Sequence, residues 1–315
     1  MFEQIITKVE HYDSIVIFGH LNPDGDCYGS QVALRAILKA AYPSKSVFAV
    51  GSGLSNFYQL LGKMDEVSDD VIINSLAVVL DSNDLSRVED KRVKLAKDFV
   101  KIDHHIDTHK FVEGPQVVDD KATSTCELIY RLAKENNFEI PKVAAEGIYL
   151  GMFTDTARFQ YASDYVTMFD VLKNLIQLGV VPTDLSAILN TSYEHSLKVK
   201  SFIYRNYKKD PAGILYVIAN KTDRAKLNIS SQQMVANTSL ISHIKKYPVW
   251  FVATEMDDGH MQVEMRSNKI DVQKICASFG GGGHLFAAGF SQPMFNNENI
   301  DELLNRIRTA LKEGN

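Results

Sequence analysis

Three short apolar runs in the first third of the chain each stop abruptly at acidic or imidazole side chains. Ser14–Phe18 leads into Gly19-His20-Leu21-Asn22-Pro23-Asp24-Gly25-Asp26, Leu76–Leu80 into Asp81, and Phe99–Ile102 into Asp103-His104-His105. Runs of this length, without polar alternation, read as strands covered on both faces. A fourth run lies at Val47–Val50, and helical spacing is present over Gly29–Tyr42, Thr125–Glu135, Lys142–Phe153 and Tyr165–Leu178. The alternation predicts an α/β fold with a mostly parallel sheet flanked by helices. Open sheets of that kind place their chemistry at the carboxyl ends of strands, where these acids and histidines fall.

Val181-Pro182-Thr183-Asp184 breaks the pattern, and residues from about Tyr193 to Lys209 read as a polar connecting helix. Lys208–Gly213 reads as a turn. Strand candidates follow at Ile214–Ile218, Val249–Thr254 and Met261–Met265, with Asp257-Asp258-Gly259 as a hairpin turn, and then a tail helix at about Ile300–Leu311. The expected organisation is a metal-binding domain over 1–184, a linker helix over 185–211, and a smaller α/β substrate-binding domain over 212–315.

Composition narrows the partners. The 315 residues carry 34 basic and 39 acidic side chains, a net charge of −5, so long nucleic acid is not expected. A small anion remains compatible, because two bound divalent ions supply four local positive charges. No apolar run reaches the ~18–20 residues of a membrane span, and Met1-Phe2-Glu3-Gln4 lacks a signal-peptide pattern. Cys27, Cys126 and Cys276 are too scattered for a zinc knuckle or a disulfide framework. They suit a reducing cytoplasm.

His20, Asp24, Asp26, Asp81, His104 and Asp155 form the candidate metal set. Asp24 and Asp26 are two apart, so in an extended loop they point opposite ways and would serve two adjacent ions. His20, Asp24 and Asp81 would hold one ion. Asp26, Asp81, His104 and Asp155 would hold the other, with Asp81 bridging. Such a pair generates a nucleophilic water and clamps a phosphoryl group. Mixed carboxylate and imidazole ligation favours Mn²⁺, with Mg²⁺, Co²⁺ or Zn²⁺ as alternatives, and disfavours structural zinc, since no cysteine joins the set. His105 and His109 are four apart, but Ile106 stands where a zinc protease needs glutamate. His11, His195, His243 and His260 are isolated and read as structural or solvated. Ala122-Thr123-Ser124-Thr125 reads as a helix cap before a phosphate contact. Arg87 and Arg158 fit either a phosphate contact or a surface ion pair.

A second signal is Phe279-Gly280-Gly281-Gly282-Gly283-His284. Flanking apolar residues on both sides argue against a linker. Glycines let backbone N–H groups approach an anion closely, and His284 could donate to a phosphate or a base. Arg266-Ser267 suits a phosphate or carboxylate contact. No Lys-Ser or Lys-Thr follows the glycines, so this is not a nucleotide P-loop.

Together, His20-x-x-x-Asp24-x-Asp26, Asp81, Asp103-His104-His105 and Thr154-Asp155-Thr156 resemble the four motifs of the DHH phosphoesterases. Arg266-Ser267 and Gly280–His284 resemble the signature of their associated C-terminal domain of the first type. The resemblance spans nearly the whole chain, and two-domain members of this length are similar to bacterial nanoRNases. It implies cleavage of short oligoribonucleotides or linear dinucleotides (pApA, pGpG) to mononucleotides, or removal of the 3′-phosphate of adenosine 3′,5′-bisphosphate (pAp). It implies two Mn²⁺ in the N-terminal domain and substrate held by the C-terminal one across an interdomain cleft. It also implies His104 as a metal ligand, His105 as a phosphate contact or proton donor, Asp103 as the group that orients the neighbouring histidines, and a homodimer. Arg266, Ser267, Gly282, Gly283 and His284 are then the substrate-binding residues. The alternatives are a family II inorganic pyrophosphatase or exopolyphosphatase, against which the glycine run argues, and a non-catalytic nucleotide-binding module. The chain lacks the extra domains expected of a RecJ-like exonuclease or a membrane-bound cyclic-dinucleotide phosphodiesterase.

Overall fold

A computed structural model describes residues 1–53, 55–105, 114–191, 194–294 and 296–314. The expected pair His105/His109 and Ile106 therefore fall partly outside the described residues, His109 and Ile106 among those not covered. The chain divides into two compact units, Met1–Thr191 and Ser192–Asn315.

The first unit is built on five parallel strands, β1 (Ser14–Phe18), β2 (Ser46–Val50), β3 (Leu76–Leu80), β4 (Asp98–Asp103) and β5 (Gln116–Val118), in the order β2-β1-β3-β4-β5. Every residue of β3 is buried, and so are Ile15–Phe18 of β1. This is why both strands read as continuous apolar runs: each face carries its own core. The helices are α1 (Glu3–His11), α2 (Gly25–Ala41), α3 (Ser55–Leu61), α4 (Asp69–Ile73), α5 (Thr125–Glu135), α6 (Lys142–Asp155), α7 (Tyr165–Gln177) and α8 (Pro182–Asn190). After β1 the chain builds β2 on one side and then β3 on the other, so the sheet has its topological switch at the carboxyl ends of β1 and β3.

One local expectation is overturned here. Helix α2 begins at Gly25, not Gly29, and Asp24 and Asp26 do not sit in an extended loop. Asp24 is the N-cap, its Oδ1 accepting from the N–H groups of Asp26 and Cys27, each at 3.0 Å. The cap satisfies N–H groups that the first turn would otherwise leave unpaired, and it turns a glycine-rich polar stretch into helix.

The second unit is a six-stranded mixed sheet, ordered β10-β11-β9-β8-β7-β6, from β6 (Lys208–Asp210), β7 (Ile214–Ala219), β8 (Val249–Glu255), β9 (Met261–Ser267), β10 (Gly282–His284) and β11 (Ala287–Gln292). Only β7 and β8 run parallel, joined through α10 (Lys221–Leu227) and α11 (Ser231–Val235). The hairpin at Asp257–Gly259 joins β8 to β9 as expected, with Gly259 at φ +91°. One sheet face packs on α12 (Val272–Ala277) and α13 (Asn297–Glu313), the other on α9 (Glu194–Asn206). Helix α13 starts three residues before the apolar pattern because Asn296 caps it through Asn299 N–H. Lys208–Asp210, read as part of a helix and turn, is an edge strand antiparallel to β7.

Candidate metal centre

The three strand ends converge. His20 follows β1, Asp81 follows β3, and His104 follows β4, while Asp26 comes from the first turn of α2 and Asp155 from the last turn of α6. His20 Nε2 lies 3.4 Å from Asp81 Oδ2 and 3.8 Å from Asp24 Oδ1. His104 Nε2 lies 3.3 Å from Asp155 Oδ2 and 3.7 Å from both Asp26 Oδ2 and Asp81 Oδ1. The two oxygens of Asp81 thus face two separate clusters, one around each histidine.

Backbone geometry holds these groups in place. Asp81 has φ +56°, a left-handed conformation rare outside glycine, while its N–H bonds Ile102 O at 3.1 Å. Thr125 Oγ1 donates to Asp81 Oδ1 at 2.9 Å. The N-terminus of α5 grips Asp26: Thr125 N–H bonds Oδ2 at 2.7 Å and Cys126 N–H bonds Oδ1 at 2.8 Å. Ser124 is the cap of that helix, accepting from Glu127 N–H, so the capping expectation for 122–125 holds, and its neighbour Thr125 reaches the site as well. Helix α6 stops just after Asp155 because Ala157, Arg158 and Phe159 are all left-handed, at φ +48°, +65° and +64°.

The electrostatics are those of crowded anions. Burial, and then Asp81 and Asp155, push the Asp26 carboxyl well above the ordinary range. Burial, and then Asp81 and Asp24, raise Asp155 to about 7. Burial opposes protonation of His20, but hydrogen bonding to Asp24 and Asp81 outweighs it and raises the ring well above its usual value. A site that raises buried carboxylates and draws protons onto its histidine is one that a divalent cation would relieve. The donor set, aspartates and imidazoles, fits such a cation.

Cys27 also enters the cluster: His20, Cys27 and Asp81 present donor atoms within 4.8 Å of one another, which the spacing of the cysteines did not suggest. The thiol sulfur accepts from His20 N–H at 3.2 Å, and burial pushes it up to about 12. It is a neutral packing group there rather than a thiolate.

His105 stands beside the cluster. Asp103 Oδ1 accepts from its Nδ1 at 2.8 Å and from its backbone N–H at 3.1 Å, and Asp81 Oδ1 is 3.5 Å from Nδ1. Burial opposes a proton on the ring, but Asp103 and Asp81 prevail and raise it to about 9. Arg158 turns away, donating to Asn190 Oδ1 at 3.0 Å, and Arg87 is exposed in the short turn Leu85–Arg87.

In the second unit the last two glycines of the run begin a strand, after a turn at Gly280. Gly282–His284 is the edge strand β10, antiparallel to β11. Gly283, at φ +139°, lies so close that a Cβ there would stand 2.5 Å from Ala287 O, so packing itself requires glycine. Ala287 pairs with both His284 and Arg266, which places those two residues in one cross-strand row, about 10 Å apart. Arg266 donates to Met265 O at 2.8 Å and Glu264 Oε2 at 3.2 Å. Ser267 Oγ accepts from the N–H groups of Lys269 and Ile270, each at 2.9 Å, which gives it a turn-capping task.

A parallel sheet that gathers carboxylates and imidazoles at its switch point, followed by a mixed-sheet unit, is the architecture of a divalent-metal phosphoesterase. The chain belongs to the DHH family: residues 14–152 match the DHH family N-terminal domain, and residues 206–313 match the DHHA1 domain. It is 31% identical to a bifunctional oligoribonuclease and PAP phosphatase of Bacillus subtilis, with 99% of each chain covered. It is 30% identical to a protein of the same description from Mycoplasma genitalium, with 91% of each covered. In fold it is similar to an exopolyphosphatase-related protein from Bacteroides fragilis, at a TM-score of 0.87 and 24% identity over 98% of this chain and 96% of that one.

Proposed function

We propose that this chain is a two-metal phosphoesterase that hydrolyses short oligoribonucleotides or linear dinucleotides to mononucleotides, removes the 3′-phosphate of pAp, or does both. The observation that carries the reading is the division of Asp81 between two histidine–carboxylate clusters. His20, Asp24 and Asp81 would hold one ion, and Asp26, Asp81, His104 and Asp155 the other. Mn²⁺ suits this oxygen- and nitrogen-rich set, with Mg²⁺, Co²⁺ and Zn²⁺ as competitors. Bound divalent ions supply a water ionised near neutral pH and neutralise charge on a phosphoryl group.

The protein's own groups supply the rest. Asp103 holds the Nδ1–H of His105, and because the ring is raised to about 9 its Nε2–H is the one that would donate to a phosphate oxygen or a leaving alkoxide. The first unit acts as the metal-binding domain and the second as the substrate-binding one, where Arg266, His284 and the Gly282–Gly283 backbone contact substrate. The Bacillus subtilis and Mycoplasma genitalium relatives support the choice of substrates. A panel of di- to pentaribonucleotides, pAp, pApA, pGpG and pyrophosphate, run with each metal, tests it. Mononucleotide or orthophosphate release from the nucleotides is expected, and hydrolysis of pyrophosphate alone overturns the assignment.

The chain is also proposed to form a homodimer through α7. Tyr165, Val166, Phe169 and Ile176 are exposed at 45%, 76%, 55% and 49%, and their spacing puts them on one helical stripe. Phe169 and Ile176 line a groove with Tyr149, Phe159, Leu172 and Pro182. Asp170 and Lys173 lie beside the stripe, so two copies of α7 crossing antiparallel near residues 171–172 set each acid against its partner's lysine. None of the described helices is long and apolar enough to cross a membrane.

A further inference from the structure

Strand β9 carries its polar groups on one face. Met261, Val263 and Met265 are buried, and Gln262, Glu264 and Arg266 alternate with them on the opposite side. Arg266 is flanked in register by Trp250 of β8 and Ala287 of β11, and Glu264 by Val252 and Gly289. The Glu264 carboxylate joins its neighbours along the strand. Oε1 accepts from Gln262 Nε2 at 3.3 Å, and Oε2 accepts from Arg266 Nη1 at 3.2 Å. Met265 O accepts from the same Nη1 at 2.8 Å. Gly289 leaves room for this arrangement: a Cβ there would stand 2.7 Å from Glu264 Oε1 and 2.9 Å from Val263 O.

A carboxylate beside an arginine that is to hold a phosphate looks self-defeating, because it competes with the anion. Stability does not account for it, since a partly exposed ion pair contributes little. The choice of donor atom does. Both acceptors take Nη1, and neither Nε nor Nη2 donates a hydrogen bond among the described residues. Nε and Nη2 form one edge of the planar guanidinium, a fork that matches the oxygens of a phosphate. A loose arginine side chain gives up much rotamer freedom when a ligand captures it. One already anchored at Nη1 gives up less.

We propose that Glu264 is a positioning residue: it anchors Nη1 of Arg266 so that the Nε–Nη2 edge is held ready for a phosphate of the substrate. The turnover arm of the test rests on the phosphoesterase reading above; the arginine-order arm does not.

The test compares full-length E264A and E264Q proteins, each also combined with R266A. Both variants remove the charge that repels an anion, but only glutamine keeps an oxygen that accepts from Nη1, so their difference isolates positioning from charge. ¹⁵N relaxation of the Arg266 Nε–H in the substrate-free protein reports its order, and kcat and KM on pApA with Mn²⁺ report its use. E264A is expected to lower the order parameter of that Nε–H below about 0.6, while E264Q matches the wild-type protein. KM is expected to be about 3- to 10-fold higher in E264A than in E264Q, with kcat held within about twofold. R266A should abolish the difference in KM, because both variants act through that guanidinium. An Arg266 as ordered in E264A as in the wild-type protein overturns the inference whatever the substrate. Equal KM values for E264A and E264Q, or a difference that survives R266A, overturn it as well. No turnover of any nucleotide by the wild-type protein, with Arg266 still losing its order in E264A, would sink the phosphoesterase reading and leave the anchoring of Arg266 by Glu264 standing.

Discussion

Gly29 of α2 and Gly147 of α6 face each other across a close helix contact near the site: a Cβ on Gly29 would lie 2.2 Å from Gly147 O, and one on Gly147 would lie 2.7 Å from Gly29 O. Backbone meets backbone there, so the helices can approach only where both residues lack side chains. The approach matters because α2 carries Asp26 in its first turn and α6 carries Asp155 in its last. G29A or G147A must push the helices apart. Each is expected to cost about 1–3 kcal/mol of unfolding free energy and to weaken metal binding together with it. Denaturant unfolding and calorimetric metal titration check this pair of effects; a G29A protein with wild-type values for both would show that the contact yields without consequence.

Much of this arrangement is readable in the chain, and the exceptions have physical causes. The ends of β1, β3 and β4 stand out because strands buried on both faces read as apolar runs that stop where the polar chemistry begins. The start of α2 does not stand out: Gly25-Asp26-Cys27-Tyr28-Gly29 has the small and polar make-up of a loop, and only the Asp24 cap and the contact with α6 make it helical. Strand β10 is Gly282-Gly283-His284 and β11 opens on Ala287-Ala288-Gly289 before its aromatic Phe290, so neither begins with the branched and aromatic residues that mark strands. Strand β9 pairs with β11, and β11 in turn pairs with β10.

Asp81 is the residue whose loss the two-cluster geometry makes most severe. D81N keeps the volume and removes the charge that both histidine clusters share. Metal stoichiometry by calorimetry should fall from two ions to one or none, and turnover should fall by more than about 100-fold, well beyond the loss expected when an outer partner is removed. A D81N protein that still binds two ions with wild-type affinity would remove Asp81 from the bridging position.

Proton linkage gives a prediction without substrate. In the metal-free protein, Asp155 is raised to about 7 from an ordinary value of 3.8. Between those values the folded state binds more protons than the unfolded one, so stability falls as pH rises. His105, raised from 6.5 to about 9, acts in the same direction: its contribution is complete below 6.5 and is lost as pH climbs through 9. The chelator-treated protein should therefore melt at progressively lower temperature from pH 5 to pH 9. Saturating Mn²⁺ should reverse the slope across the lower half of that range, because protons then compete with the ion for the same ligands. Thermal melts at several pH values, with and without metal, supply the comparison; a metal-free protein whose melting temperature rises over this range would contradict the crowding of Asp26, Asp81 and Asp155.

The α7 stripe makes the oligomeric state testable at single residues. Val166 and Phe169 project into solvent, while Met168, Val171 and Leu175 are buried in the unit's own core. Substituting V166E or F169E therefore leaves the fold intact and places a carboxylate at the centre of any α7–α7 contact. The wild-type protein should run as a dimer in light scattering at micromolar concentration and each variant as a monomer, since an unpaired charge in an apolar interface costs several kcal/mol. A charge reversal adds a second check. D170K alone sets two lysines against each other across the axis, whereas D170K combined with K173D restores opposite charges, so the first should weaken the dimer and the pair should recover it. A dimer that survives both F169E and D170K must be held by some other face of the molecule.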